Sequence, residues 1–368
     1  ITHRDEQLRE VASILAPALK LDRPSNLFVY GMTGTGKTLV VRHITESMMA
    51  LAKKKKISLN VIYINCKLKK VADTEYRLIA QLAREFGEEI PATGLPTDEI
   101  YRSFLKVLEK NKVLLLIILD EIDQLVHKIG DEIIYNLTRI NLELQHSQIS
   151  IIGISNDLVF TDGLDPRVKS SLSEEEVVFA PYNAVQLQDI LKQRSLATFI
   201  DHVIEDGVIE KCAAYAAREH GDARRALELL RVAGEIVERD NCEKIAVKHI
   251  DMAEEKIERD KFVDIINTQP KQFKLTLYSI FDVCSKTDKP VFTGDIYEIY
   301  KDLAFQSGVR PLTQRRISDI IAELDMLGII NAKVISKGRY GRTRKICLAI
   351  PLSAIPKLNT ALKESLQL

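Results

Sequence analysis

The stretch NLFVYGMTGTGKTL, residues 26–39, decides the fold class. Leu27, Phe28, Val29 and Tyr30 form a short apolar run that reads as a buried strand. A glycine loop follows, and Lys37-Thr38 open a helical pattern. Residues 31–38 thereby fill G-x-x-x-x-G-K-[ST] in the strand-loop-helix setting that this pattern requires. The glycines let the backbone curl into a nest of N–H groups aimed at phosphate oxygens, and the helix adds the positive end of its dipole. Lys37 is placed to reach the β and γ phosphates and Thr38 to hold Mg2+ through its hydroxyl. The contacts expected along the loop are Gly31, Gly34, Thr35, Gly36, Lys37, Thr38 and Leu39, with ATP or ADP and Mg2+ as the cofactors.

Working outward, Leu8, Val11, Ile14, Leu15 and Leu19 have the spacing of an amphipathic helix over residues 2–20. The helix after the glycine loop is expected to run to about Ala52, and the lysines at 53–56 read as a solvated turn. Strand-like runs follow at 61–65, 113–119, 149–154 and 176–179, each separated from the next by helical pattern. That alternation predicts a parallel sheet covered on both faces. Residues 184–266 change character and read as helices with alanine-rich faces, for example 208–219 and 223–237. In the last hundred residues three helices are marked. Phe273, Leu277, Ile280, Phe281 and Cys284 define the first, and Ile296, Ile299, Tyr300 and Leu303 the second. Ile317, Ile320, Ile321, Leu324 and Leu327 define the third, with Thr313 as N-cap and Gly328 as stop. Strands at 329–336 and 344–350 then flank a basic tip, so a winged helix-turn-helix is the economical reading.

The composition, 46% hydrophobic and 28% charged, is that of an ordinary soluble protein. The zero net charge hides an asymmetry: residues 268–368 carry 16 Lys+Arg against 9 Asp+Glu, and the first 267 carry 36 against 43. A basic C-terminal third suggests a polyanionic partner. The five cysteines, at least thirty residues apart with no C-x-x-C, read as reduced thiols rather than a zinc site or a disulfide framework. No apolar run approaches a membrane span, so no membrane partner is expected. The chain opens on Ile1 with no signal-like segment, and an N-terminal piece is expected to be missing.

The apolar run 114–119 delivers Asp120 and Glu121 to the C-terminal end of a strand, where ligands sit in parallel α/β sheets. Asp120 is expected to hold Mg2+ and Glu121 to orient or deprotonate the attacking water. The next strand ends in Ser155-Asn156-Asp157. Either Asn156 hydrogen-bonds the γ-phosphate or the attacking water, or Asn156 or Asp157 simply caps the following helix; spacing leaves both open. Arg167 either reaches a neighbouring subunit's γ-phosphate or is a surface arginine paired with Glu174 or Glu175, and the bare sequence favours the second. In the third C-terminal helix the apolar stripe faces inward, which turns Arg315 outward with Arg316 and Ser318 beside it, as a recognition helix needs. The hairpin adds Lys337, Arg339, Tyr340, Arg342 and Arg344 as candidate DNA contacts, and residues 331–345 contain no acid.

The segments GMTGTGKT, LDEID, ISN, RVKSSL, GDARRAL and PLTQRRISDIIAELDMLGII, in this order, resemble the AAA+ ATPases. Within them they resemble the archaeal origin-recognition and Cdc-six type replication initiators, over essentially the whole chain. The resemblance implies an α/β fold: an AAA+ P-loop sheet domain (1–182), a helical lid (183–267) and a C-terminal winged-helix domain (268–368). It implies sensor roles for Asn156 and for Arg224, and an arginine-finger role for Arg167. It also implies nucleotide contacts for Tyr182 and Arg194, which alone would read as a turn tyrosine and a solvated arginine. Arg4 is implied to border the adenine. An inserted helical segment within 67–89 is implied to touch DNA. The function implied is binding of double-stranded origin DNA and placement of the replicative helicase, with other initiator subunits, a slow Mg-dependent ATPase switch and a cytoplasmic, nucleoid-associated location. A branch-migration or remodelling motor with a winged-helix end, and a regulator in which nucleotide only fixes a DNA-binding shape, are the alternatives.

Overall fold

The computed structural model describes residues 1–67, 72–88, 90–91, 94–172, 174–286, 290–336, 342–350 and 355–366. The chain divides into two compact units, 1–250 and 251–368.

The first unit is built on a five-stranded parallel sheet in the order β2-β3-β4-β1-β5. Its strands are β1 (Asn26–Gly31), β2 (Leu59–Asn65), β3 (Leu114–Asp120), β4 (Gln148–Ser155) and β5 (Glu174–Phe179). β3 is buried along its whole length, as a strand covered on both faces must be. One face packs on α1 (Asp5–Leu15) and α2 (Lys37–Lys55), through Val11, Leu15, Val40 and Val41 against Leu27, Val29, Leu116 and Ile152. The other face is covered by α3 (Glu75–Arg84), α4 (Thr97–Asn111), α5 (Ile122–Ile129), α6 (Glu132–Arg139) and α7 (Pro166–Leu172). The helix after the glycine loop runs three residues beyond the expected Ala52, because Lys56 itself takes the left-handed conformation that ends it.

The same unit contains a helical bundle: α8 (Ala184–Thr198), α9 (Val208–Arg218) and α10 (Ala223–Arg239). An Asn183–Gln186 capping box starts α8, and buried Leu187, Leu191, Cys212, Ala216, Ala226, Leu229 and Ala233 fill its centre. The boundary between the units falls within α11 (Val247–Thr268).

The second unit packs α12 (Lys271–Lys286), α13 (Thr293–Gln306), α14 (Gln314–Met326) and α15 (Ile355–Leu366) around Phe273, Leu277, Phe281, Tyr300, Ile321, Leu324 and Leu362. An antiparallel sheet in the order β6-β8-β7 lies beside them, from β6 (Val291–Phe292), β7 (Ile330–Ser336) and β8 (Arg342–Leu348). The expected three helices and hairpin are present. The short β6 and the closing helix α15 are additional; two residues of strand are too few to show an alternation, whereas α15 buries a stripe of Leu358, Leu362 and Leu366 that the sequence reading passed over.

Candidate functional site

Parallel pairing brings the chemistry to one level. Tyr30 pairs with Ser155 and Asp120 with Ile154, so the ends of β1, β3 and β4 release the glycine loop, Asp120-Glu121 and Asn156 side by side. A cavity of about 790 Å³ opens there, lined by Gly34, Gly36, Lys37, Thr38, Leu39, Asp120, Glu121 and Asn156 from the sheet side. Tyr182, Arg194 and Arg224 line it from the bundle side. Ile190, Ala197 and Leu227 add apolar surface to its lining.

Lys37 is only 5% exposed, and its ammonium donates to the carbonyls of Gly31 (2.7 Å) and Met32 (2.8 Å) and to Asn156 Oδ1 (3.0 Å). Burial pulls its pKa down to about 8, against the pull of Asp120, Asp123 and Glu121 in the other direction. The N-cap of α2 is Gly36, with φ +89°, and no side chain caps the helix, so its first turn offers free N–H groups to an anion. Asn156 therefore faces Lys37 and does not cap a helix; Asp157 makes the local turn instead, accepting from Val159 N–H.

Asp120 is 6% exposed. Its Oδ2 accepts from Thr38 Oγ1 (3.0 Å) and from Tyr63 Oη (2.6 Å), and its Oδ1 from the Glu121 N–H (3.1 Å). A hydroxyl and a carboxylate in contact beside a phosphate-binding loop form a hard, all-oxygen donor set, which fits Mg2+. Glu121 sits at φ +57°, a left-handed conformation that costs a non-glycine residue about 1 kcal/mol, and its carboxylate lies 3.7 Å from the exposed ammonium of Lys67.

The bundle closes over the loop through Asp222. This residue caps α10 by accepting from the Arg224 N–H (2.7 Å), and Thr33 Oγ1 also donates to it (3.4 Å). Gly34, at φ +71°, is required here, since a Cβ on it would lie 1.6 Å from Asp222 Oδ1. Arg4 is buried behind the cavity rather than lining it. It donates to Thr35 O (3.0 Å) and Ala180 O (2.6 Å), and its guanidinium stacks 3.9 Å from the Tyr182 ring. Thr35 is likewise fully buried, its hydroxyl turned to Met32 O. Gly31 contributes the carbonyl that holds Lys37. Arg167 lies outside the cavity, 84% exposed and paired at 3.2 Å with Asp165, not with Glu174 or Glu175.

Sequence reading passed over Tyr63, Asn65, Asp123 and Asp222. Asp123 accepts from Ser155 Oγ (3.1 Å) and steadies the turn that carries Asn156. Asp123 and Asp222 stood within the quoted LDEID and GDARRAL segments. Tyr63 and Asn65 could be found only through the pairing of Asn65 with Asp120.

In the second unit, Thr313 accepts from the Arg316 N–H and starts α14. Asp325, near its other end, accepts from the Ala332 N–H (2.8 Å) and fixes β7 against the helix. Between them lies a groove of about 560 Å³ lined by Gln314, Arg315, Ser318, Val334 and Arg344. Arg316 is partly engaged, 3.6 Å from Asp319, and Ser318 Oγ donates to Gln314 O. Arg342 opens β8, whereas Lys337, Arg339 and Tyr340 lie outside the described residues, as does part of 67–89.

Three protein families match successive parts of the chain. They are an AAA domain over residues 21–158, a Cdc6 AAA+ ATPase-type lid domain over 188–255, and a CDC6 C-terminal winged helix domain over 264–357. The chain is 54% identical over 354 residues to the ORC1-type DNA replication protein of Pyrococcus horikoshii, covering 95% of this chain and 84% of that one. With the ORC1-type DNA replication protein 1 of Methanosarcina acetivorans it shares 50% over 360 residues, 97% and 86% of the two chains. Its structure is similar to that of the Aeropyrum pernix ORC1 protein in complex with DNA, with a TM-score of 0.82 and 44% identity over 99% of this chain and 93% of that one. At 20% identity and a TM-score of 0.60, Cdc6p from Pyrobaculum aerophilum shares the fold. Identity of this degree across nearly the whole length means that the chain belongs to the ORC1-type DNA replication proteins.

Proposed function

We propose that this chain is an ATP-binding replication initiator that recognises double-stranded origin DNA and helps to place the replicative helicase. The observation that carries the nucleotide half is the single cavity in which Lys37, Thr38, Asp120, Glu121 and Asn156 meet Tyr182, Arg194 and Arg224. In this reading ATP or ADP lies with its phosphates on the glycine loop and its base toward Ile190 and Leu227. Thr38 and Asp120 would hold Mg2+, which when bound would neutralise phosphate charge. Glu121 orients the attacking water and takes its proton. Lys37, Asn156 and Arg224 bind the terminal phosphate. Arg4 and Thr35 act behind the cavity, holding the loop and Tyr182.

The DNA half rests on the groove between α14 and the hairpin and on the DNA complex of the Aeropyrum pernix relative. Arg315 and Ser318 read base edges, and Arg316, Arg342, Arg344 and the basic tip at 337–340 engage phosphates and the neighbouring groove. The sheet domain, lid and winged-helix domain divide the chain at 182/183 and 267/268. Arg167, exposed and outside its own chain's cavity, is supplied to a neighbouring subunit, so turnover by the isolated chain is slow. The protein works in the cytoplasm on the nucleoid; among the described residues no helix is long and apolar enough to cross a membrane.

The test is binding of the purified chain to random duplex and to candidate origin fragments across a salt series, with ADP or a nonhydrolysable ATP analogue. Tight binding to a few fragments that survives rising salt is expected. Weak, salt-sensitive binding to every fragment would overturn the initiator reading in favour of a remodelling motor. Steady-state hydrolysis as fast alone as on DNA would remove Arg167 from its role.

A further inference from the structure

Three donors hold the Asp120 carboxylate, and one of them comes from outside the glycine loop and the strand that carries it. Tyr63 lies near the end of β2, whose Asn65 pairs with Asp120 while Tyr63 itself pairs with Ile118. Side chains two residues apart on a strand share a face, so Tyr63 and Asp120 both stand on the side of the sheet covered by α2. The phenol donates at 2.6 Å to Oδ2, the oxygen that also accepts from Thr38. Behind the ring, the Arg42 guanidinium sits 4.1 Å from its centroid. Arg42 is one turn beyond Thr38 on α2, so the two residues share one helix face. That face therefore meets the Tyr63–Asp120 pair at two points, Thr38 on the carboxylate and Arg42 on the ring.

We propose that Tyr63 is a positioning residue for the magnesium-bound nucleotide, its hydroxyl, steadied by Arg42, fixing the Asp120 carboxylate against Thr38. This rests on the nucleotide-binding reading given above. Without the phenol, Oδ2 keeps only the Thr38 hydroxyl, and Asp120 can turn about its side-chain torsions away from the ion's position. Groups that orient a ligand in this way are worth roughly tenfold to a hundredfold in metal affinity. Tyr63 lines the cavity, but in this scheme it touches neither phosphate nor ion, so nucleotide affinity without magnesium is independent of it.

The experiment compares the full chain with Tyr63→Phe, which keeps the ring and its contact with Arg42. A fluorescent ADP analogue is titrated in EDTA and then across a Mg2+ series. In EDTA the two proteins are expected to bind alike, while Tyr63→Phe needs roughly tenfold more Mg2+ for half-maximal tightening. Arg42→Ala, which leaves the phenol in place, should shift the Mg2+ midpoint in the same direction by less, and so provides a second route. An unchanged midpoint in Tyr63→Phe overturns the proposal, and so does an equal loss of ADP in EDTA, since that marks a merely structural tyrosine. A wild-type chain that binds no ADP, or whose binding ignores Mg2+, overturns the nucleotide reading beneath it.

Discussion

Lys37 and Arg315 are both cations assigned to nucleic-acid or nucleotide chemistry, yet the protein treats them in opposite ways. Lys37 is 5% exposed, and three acceptors fix its ammonium before any phosphate arrives. Arg315 is exposed at the rim of a groove, and among the described residues no hydrogen bond or ion pair restrains it. The first arrangement meets the cost of ordering and desolvating the charge during folding; the second defers it to binding. A site for one small ligand of fixed shape gains from the former. A surface that must sample many duplex sequences before stopping at one gains from the latter, because the initial attraction is electrostatic and sequence-independent.

Lys37→Ala tests the buried cation most severely. It removes three charge-assisted bonds from a buried position, and nucleotide affinity should fall roughly a hundredfold or more in titrations with a labelled ATP analogue. A loss of only a few-fold would mean that the interlocked state is not the binding state. Next in size is Arg315→Ala, expected to weaken preferred-site DNA roughly tenfold to a hundredfold while sparing random duplex. Arg344→Ala should weaken both alike and lower the salt slope by about one. Equal losses on all sequences for both variants would erase the division between base reading and phosphate contact.

A pH series sharpens the contrast further. Burial holds Lys37 down to about 8, and incoming phosphates favour its charged form and raise it again. Binding therefore takes up a proton above pH 8, and affinity should fall by up to about tenfold per unit as the pH climbs past that value. Folding stability runs the other way: between about 8 and the ordinary lysine value the unfolded chain keeps a proton that the fold disfavours, so this group's contribution rises with pH. Calorimetry in buffers of different ionisation enthalpy reads the proton uptake directly. The smallest effect belongs to Lys67→Ala. Its pair with Glu121 is long and its own ammonium is exposed, so steady-state turnover should change no more than a few-fold.

The same contrast explains how much the sequence disclosed. The sheet was legible because a strand buried on both faces must be apolar throughout, as 114–119 is, and because a phosphate loop needs its glycines and lysine at fixed intervals. Helix α14 was legible because one apolar stripe fixes which residues face out. Contacts between distant segments left no local trace. Nothing near Arg4 indicates that it buries against Thr35 and Tyr182, and nothing near Tyr63 indicates an acid fifty-seven residues away. Arg167 was read toward Glu174 or Glu175, but a turn brings Asp165, two residues back, to it instead.

Gly34 and Asp222 are separated by nearly two hundred positions in sequence and by less than the width of a methyl group in space. Evolution can alter neither alone without consequence. A side chain at 34 collides with the carboxylate, and a residue at 222 without a side-chain acceptor uncaps α10 and releases Thr33. The two columns should therefore vary together across the lineage, with replacement of Gly34 found only in sequences where Asp222 has already become smaller.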